Sequence, residues 1–210
     1  MKLFRFFAFL SMFLLISHTI FTQQVPDALA EYRQGNFERA VQICRDEIAV
    51  NPRNMDSYVV ICWSLISLGR YNEAMRYART ARGINPYDVR VTQILGEIFY
   101  YQGNNTEALQ YFQEYTSAAP SGDRIAVVYY FMGEIYIRMG RFRHADIALS
   151  TAVHWMPRNA AWWTRLAFAR ENAGELGEAV AAYERALQLN PQLADAGRGL
   201  DRVRQTLSGR

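Results

Sequence analysis

The sequence predicts an all-α chain, an α-solenoid of five helix pairs followed by a C-terminal capping helix, and three observations predict it. Five of the six prolines, Pro52, Pro86, Pro120, Pro157 and Pro191, stand 34, 34, 37 and 34 residues apart. Gly35, Gly69, Gly103, Gly140 and Gly174 repeat with the same four spacings, and so do Ala40, Ala74, Ala108, Ala145 and Ala179. Three residue types sharing one period, including one shared three-residue offset, mark an internal repeat, and periods of this length belong to stacked helical units.

The elements follow in chain order. Residues 1–22 have the anatomy of a signal peptide or N-terminal anchor: Lys2 and Arg5 supply positive charge, and Phe6 to Ile16 form an uncharged apolar run of eleven residues. That run suits a signal-peptide core and falls short of the roughly 20 residues a membrane-spanning helix needs. Ser17, Thr19 and Thr22 match the usual small-residue cleavage site only weakly, so cleavage somewhere between residues 17 and 26 and retention as an anchor both stay open. No cysteine closely follows the run, which excludes a lipoprotein leader. The expected location is outside the cytoplasm, in the periplasm or cell envelope.

Five units follow, at about 26–54, 55–88, 89–122, 123–159 and 160–193, each needing a helix, a turn, a second helix and another turn. Glycine at the first turn suits a left-handed residue that ends a helix, because it has no Cβ to clash. Proline after the second helix cannot continue it, since it lacks the amide donor and restricts the residue before it. Small residues such as Gly96 opposite Ala108, or Gly133 opposite Ala145, would let the helices of a pair approach closely. The spacing of 37 places three extra residues around Ser121, Gly122 and Asp123. Three residues are close to one helical turn, so the first helix of the fourth unit can begin one turn early without rotating its apolar face far; the insertion reads chiefly as a longer connection, the alternative being a binding loop or hinge. Over 194–207, Ala196, Leu200, Val203 and Leu207 share one side while Asp195, Arg198, Asp201 and Arg202 fill the rest, the pattern of a capping helix. Gly197 and Gly199 lower its helix propensity by about 1 kcal/mol each.

The repeat resembles the tetratricopeptide family, whose pattern runs W-x2-L-G-x2-Y, then A-x3-F, then P. The third unit reads Thr92-x2-Leu95-Gly96-x2-Phe99, Ala108-x3-Phe112, Pro120; the fourth reads Tyr129-x2-Met132-Gly133-x2-Tyr136, Ala145-x3-Leu149, Pro157. The second carries Tyr58, Ile61, Cys62 and Leu65 at the corresponding places, and the fifth carries Trp163, Leu166 and Ala167. Departures fall at Arg170, where the family prefers an aromatic, and at Asp27, Glu31 and Glu47 of the first unit. The resemblance implies a right-handed solenoid whose concave wall is made mainly by the first helices and holds a protein or peptide. Carried onto this chain, it places the partner-binding groove at Tyr32, Trp63, Ile66, Gln93, Glu97, Tyr100, Tyr101, Tyr130, Arg138 and Phe168, with Trp63 and Tyr100 as anchors. The family's Lys and Asn clamp for a terminal carboxylate has no match, since Lys2 is the only lysine. A groove of Tyr, Trp and Ile with a few Arg and Glu suits an apolar or aromatic-bearing peptide.

Charge and chemistry narrow the classes further. Without Lys2 and Arg5 the cations fall from 23 to 21 against 20 acidic residues, a net charge of +1, too little for general nucleic-acid binding. Membrane contact is expected only through the N-terminal segment, if it is uncleaved. His144 and His154 lie ten residues apart on one expected helix, too far for an i, i+4 metal pair. No phosphate loop, nucleophile elbow or C-x-x-C is present, so no catalysis, metal or cofactor is expected. Cys44 and Cys62, the only cysteines, fall on helices that neighbour each other in such a stack. In an oxidising compartment they are a candidate disulfide; the other reading is two buried small hydrophobes. The function these features imply is an exported interaction scaffold, the alternative being an accessory subunit for a small apolar ligand or an envelope transport system.

Overall fold

The computed structural model describes residues 27–209, and the leader expected over 1–22 lies outside them. The fold consists of eleven helices, with no strand among the described residues. They pair as α1 (Ala28–Arg33) with α2 (Phe37–Val50), α3 (Met55–Ser67) with α4 (Tyr71–Ile84), and α5 (Val89–Tyr101) with α6 (Asn105–Ala118). The series continues with α7 (Ile125–Arg138) and α8 (Phe142–Trp155), then α9 (Ala160–Ala173) and α10 (Leu176–Leu189), and ends at α11 (Ala194–Ser208).

Both turn types recur because the same local chemistry recurs. All five repeat glycines have positive φ, between 68° and 86°, and in each case the next residue's amide reaches back to the carbonyl five residues before it. Arg70 to Leu65 at 2.8 Å and Asn104 to Phe99 at 2.9 Å are two of these bonds. They close the last turn and satisfy carbonyls that a helix end otherwise leaves unpaired. At the other turn, Asn51, Asn85 and Asn190 accept the amide two residues on, at 3.2, 3.1 and 3.0 Å. Asp27, Asn54, Asp88 and Asn159 then cap the following helices with their side chains.

Ala40, Ala74, Ala108, Ala145 and Ala179 are all fully buried where the two helices of a pair meet. The close approach of Gly96 and Gly133, expected opposite those alanines, falls one turn further along. A Cβ on Gly96 would lie 2.5 Å from the Phe112 ring, and one on Gly133 would lie 2.5 Å from Leu149. Every helix packs on its successor, and α1, α3, α5, α7, α9 and α11 also approach one another in series, whereas the backbones of successive second helices stay apart and meet only through side chains, as Arg45 to Glu73 and Arg82 to Glu114 do at 2.5 and 2.6 Å. The first helices therefore form one wall and the second helices splay on the opposite face. Phe99 packs against the core clusters on both sides of it, as do Val127 and Tyr129, so the core runs without a gap through the stack.

The three extra residues go mainly into a longer connection, as expected, and not into a helix that begins a full turn early. Helix α7 is 14 residues long against 13 for α3 and α5, so only one of the three enters the helix and the connection takes the others. The loop crosses the Tyr115 side chain, whose hydroxyl accepts the Arg124 amide at 3.2 Å. A Cβ on Gly122 would stand 2.5 Å from that hydroxyl, which accounts for glycine at this point. The departures in the first and fifth repeats also have local uses. Glu31 accepts from Asn36 Nδ2 at 2.8 Å, and Glu47 from Ser57 Oγ at 2.5 Å. Arg170 Nε donates to Asp146 at 2.9 Å, tying α9 to α8.

Candidate functional site

The first-helix wall carries a cavity of about 480 Å³ lined by Tyr32, Trp63, Ile66, Ser67, Tyr71, Glu97, Tyr101, Arg124 and Phe131. Its rings are ordered by mutual packing: Tyr32 lies 5.7 Å from Trp63, Tyr71 and Tyr101 stack at 5.2 Å, and Tyr101 meets Phe131 edge-on at 6.0 Å. The wall is mixed in character, with Ser67 and the tyrosine hydroxyls beside one ion pair. Arg124 Nη2 donates to Glu97 Oε1 at 2.8 Å, with the carboxylate almost fully enclosed and the guanidinium half-exposed. Burial pushes the Glu97 carboxyl above its ordinary value, and the Arg124 charge works against that shift. Such a cavity can seat one large side chain of a partner against aromatic faces, with Arg124 donors free at the rim to meet a carbonyl or carboxylate.

Of the ten groove residues expected from the sequence, Tyr32, Trp63, Ile66, Glu97 and Tyr101 converge on this cavity. Phe168 lines a second hollow of about 330 Å³ near the C-terminal end, with Arg165, Tyr183, Arg198 and Arg202 among its neighbours. Arg165 makes a two-pronged contact with Glu134, at 2.6 and 3.0 Å, and its guanidinium sits over the Phe168 ring. Tyr130 lines neither hollow and stacks on Trp162 at 4.8 Å, its hydroxyl pKa pushed up to about 12 by burial. Arg138 lies over the Tyr100 ring, 4.0 Å from its centre, and donates to the Tyr100 carbonyl at 3.2 Å.

Two of the ten are not groove surface. Gln93 is fully buried, and Tyr100 is 8% exposed with its ring 4.6 Å from Phe131, so both belong to the core beneath the wall. Four liners had escaped the sequence reading: Ser67, at the end of α3, and Tyr71, Phe131 and Arg124. Tyr71 opens a second helix, Phe131 sits at a core-type position of α7, and Arg124 lies in the connection that the spacing of 37 had already marked. Cys44 and Cys62 are buried free thiols; burial pushes Cys44 up to about 12 and shifts Cys62 in the same direction, and Cys62 Sγ lies 3.6 Å from the Ala74 carbonyl. Thiols in such surroundings are poor nucleophiles.

Comparison with known proteins supplies the family. Models described as tetratricopeptide repeat match residues 27–89, 60–123, 126–158 and 160–193. The chain is 24% identical over 161 residues to the human protein O-mannosyl-transferase TMTC1, a match covering 76% of this chain and 18% of that protein. It spans less than a third of the length of the curated relatives it matches. Among solved structures it is similar to Pseudomonas aeruginosa PilF, with a TM-score of 0.76 and 18% identity over 86% of this chain and 81% of that one. PilW, a type IV pilus biogenesis factor, gives a TM-score of 0.70 and 19% identity over 87% and 90% of the two chains. At these identities the structural likeness concerns the fold. No described helix is long and apolar enough to cross a membrane.

Proposed function

The chain belongs to the tetratricopeptide repeat family, whose folds act as protein–protein interaction scaffolds, and from that premise we propose that it is an exported scaffold that holds a protein or peptide partner in its first-helix groove. The observation that carries this reading is the aromatic cavity shared by the first four repeats. Trp63 and Tyr101 supply large rigid surfaces there at low entropic cost, the usual makeup of an interface anchor. A groove walled by Tyr, Trp, Phe and Ile favours an apolar or aromatic side chain on the partner, and the Glu97–Arg124 pair gives its backbone something to bond. The alternative, a carrier for a small apolar ligand, would want a closed and wholly apolar cavity, whereas an ion pair stands in the wall of this one. We infer a scaffolding role without catalysis of its own. The charged leader with its apolar run favours the periplasm or cell envelope, as does the likeness to a pilus biogenesis factor.

Capture of partners from the native cell envelope tests the proposal. Trp63→Ala and Tyr101→Ala should each weaken retention of the captured partner by about 1 to 3 kcal/mol while leaving helicity unchanged. Tyr100→Ala should instead lower the unfolding midpoint, since its ring is core. A partner retained equally by both groove variants would place binding elsewhere, and a mature chain found only in the cytosol would remove the export reading.

A further inference from the structure

The cavity of the first-helix wall has hydrogen-bonding capacity that the chain itself leaves unused. Glu97 stands in that wall with its side chain only 7% exposed, and Arg124 occupies its Oε1 at 2.8 Å. Oε2 accepts no hydrogen bond among the described residues and is not sealed from solvent, so it is the acceptor the cavity offers. The hydroxyls of Tyr32, Tyr71 and Tyr101, in the same wall, make no bond to it. Trp63 carries the opposite deficit, a buried indole N–H with no acceptor. Gln93, one turn before Glu97 on the same face of α5, is fully buried with neither amide atom partnered. Buried polar groups are nearly always paired, and this concentration of unpaired ones lies at and behind a single cavity.

The charge around Glu97 selects the group that completes the site. Arg124 already balances the carboxylate, so an entering ammonium or guanidinium would lose its water against a neutral pair and stand beside a second cation. An entering anion at that depth would meet an almost enclosed carboxylate. A neutral group avoids both costs. Among neutral side chains a hydroxyl both donates and accepts, which answers Glu97 Oε2 and the Trp63 N–H, whereas an indole only donates. Tyr32, Trp63, Tyr71, Tyr101 and Phe131 line the space of about 480 Å³ with aromatic surface, which calls for a ring carrying that hydroxyl. The chain already contains the completed arrangement at the other end of the stack. There the Tyr183 hydroxyl donates to Glu171 Oε2 at 2.8 Å while Arg202 Nε holds Oε1 at 2.5 Å. Glu97 and Arg124 supply the acidic and basic members and lack the phenol. Resting on the groove as the partner-binding surface, we propose that the partner inserts a tyrosine side chain into this cavity, its ring among the wall aromatics and its hydroxyl donating to Glu97.

The test titrates the full chain with N-acetyl-tyrosinamide, N-acetyl-phenylalaninamide and Nα-acetyl-lysinamide and follows the Trp63 indole N–H by nuclear magnetic resonance, its signal identified by loss in Trp63→Phe. The tyrosine probe should move that signal saturably and bind about tenfold more tightly than the phenylalanine probe, with the lysine probe weakest. Glu97→Gln, which keeps the length of the side chain and removes its charge, should narrow the ratio to about twofold. If that variant fails to fold, the ratio in the parent chain decides. Equal affinity of the tyrosine and phenylalanine probes would overturn the proposal, as would a ratio undiminished in Glu97→Gln, a lysine probe that binds most tightly, or a Trp63 signal that no probe moves. Partner capture with Trp63→Ala and Tyr101→Ala decides the groove separately: loss of the partner there together with equal probe affinities would keep the groove and remove the tyrosine.

Discussion

Glycine has two distinct uses in this chain, and they separate by experiment. At Gly103 the backbone is left-handed and a Cβ would meet nothing within 4 Å, so any side chain costs conformational strain alone. Gly103→Ala should lower stability by about 1 kcal/mol, read by thermal or urea unfolding. At Gly96 the backbone is helical and the obstacle is the Phe112 ring, so Gly96→Ala should cost about 1 to 3 kcal/mol, and Phe112→Leu in the same chain should recover part of it. The capping helix holds the same contrast. Gly197 faces open space, whereas a Cβ on Gly199 would stand 2.2 Å from the Tyr183 ring. Gly197→Ala should therefore stabilise by up to about 1 kcal/mol and Gly199→Ala should destabilise. The glycine that weakens α11 by propensity is the one that lets it close on α10.

Helix α11 is held to the fifth repeat by polar contacts as well as by this fit. Arg202 Nη2 donates to Glu171 Oε2 at 2.6 Å, and the Tyr183 hydroxyl donates to the same carboxylate at 2.8 Å. Burial raises the Glu171 carboxyl, but the Arg202 and Tyr183 hydrogen bonds more than offset it and leave the group below its ordinary value. A carboxylate depressed in the docked state takes up a proton more readily once the helix undocks. Its stabilisation is therefore present above the ordinary carboxylate value of about 4.3 and is lost as pH falls through the depressed one. Amide exchange in α11 should quicken relative to α3 and α5 as pH drops through that window. Arg202→Gln should already show the faster exchange at pH 7 and a flatter pH response. Unchanged relative protection across the window would show that apolar contact alone holds the cap.

At the scale of the whole molecule, each repeat touches only its neighbours, so stability accumulates along the stack and the ends need cover. Ending the chain before Ala194 would uncover Tyr183, which is 1% exposed, and leave Glu171 without its arginine. The truncated protein should unfold at a lower denaturant midpoint, bind more of an apolar dye and aggregate, with the loss greatest in α9 and α10. Solubility and stability equal to the parent would make α11 a tail.

The repeat, its turns and its helix pairing were legible in the amino-acid order because each rests on a constraint that acts locally. A left-handed turn wants glycine, a proline cannot extend a helix, and an alanine every period keeps two helices close. The make-up of the groove was only half legible. Gln93 and Tyr100 sit on the expected helix but point into the core, while Tyr71, Arg124 and Phe131 join the cavity from a second helix, an insertion and a core-type position. Which side chain reaches the cavity depends on how neighbouring repeats are rotated and offset against one another, and that is decided by the packing of residues a full period apart. The sequence alone determined that this chain is a stack of helix pairs with a turn chemistry repeated five times; the tertiary structure alone decided which aromatics face a partner and which hold the stack together.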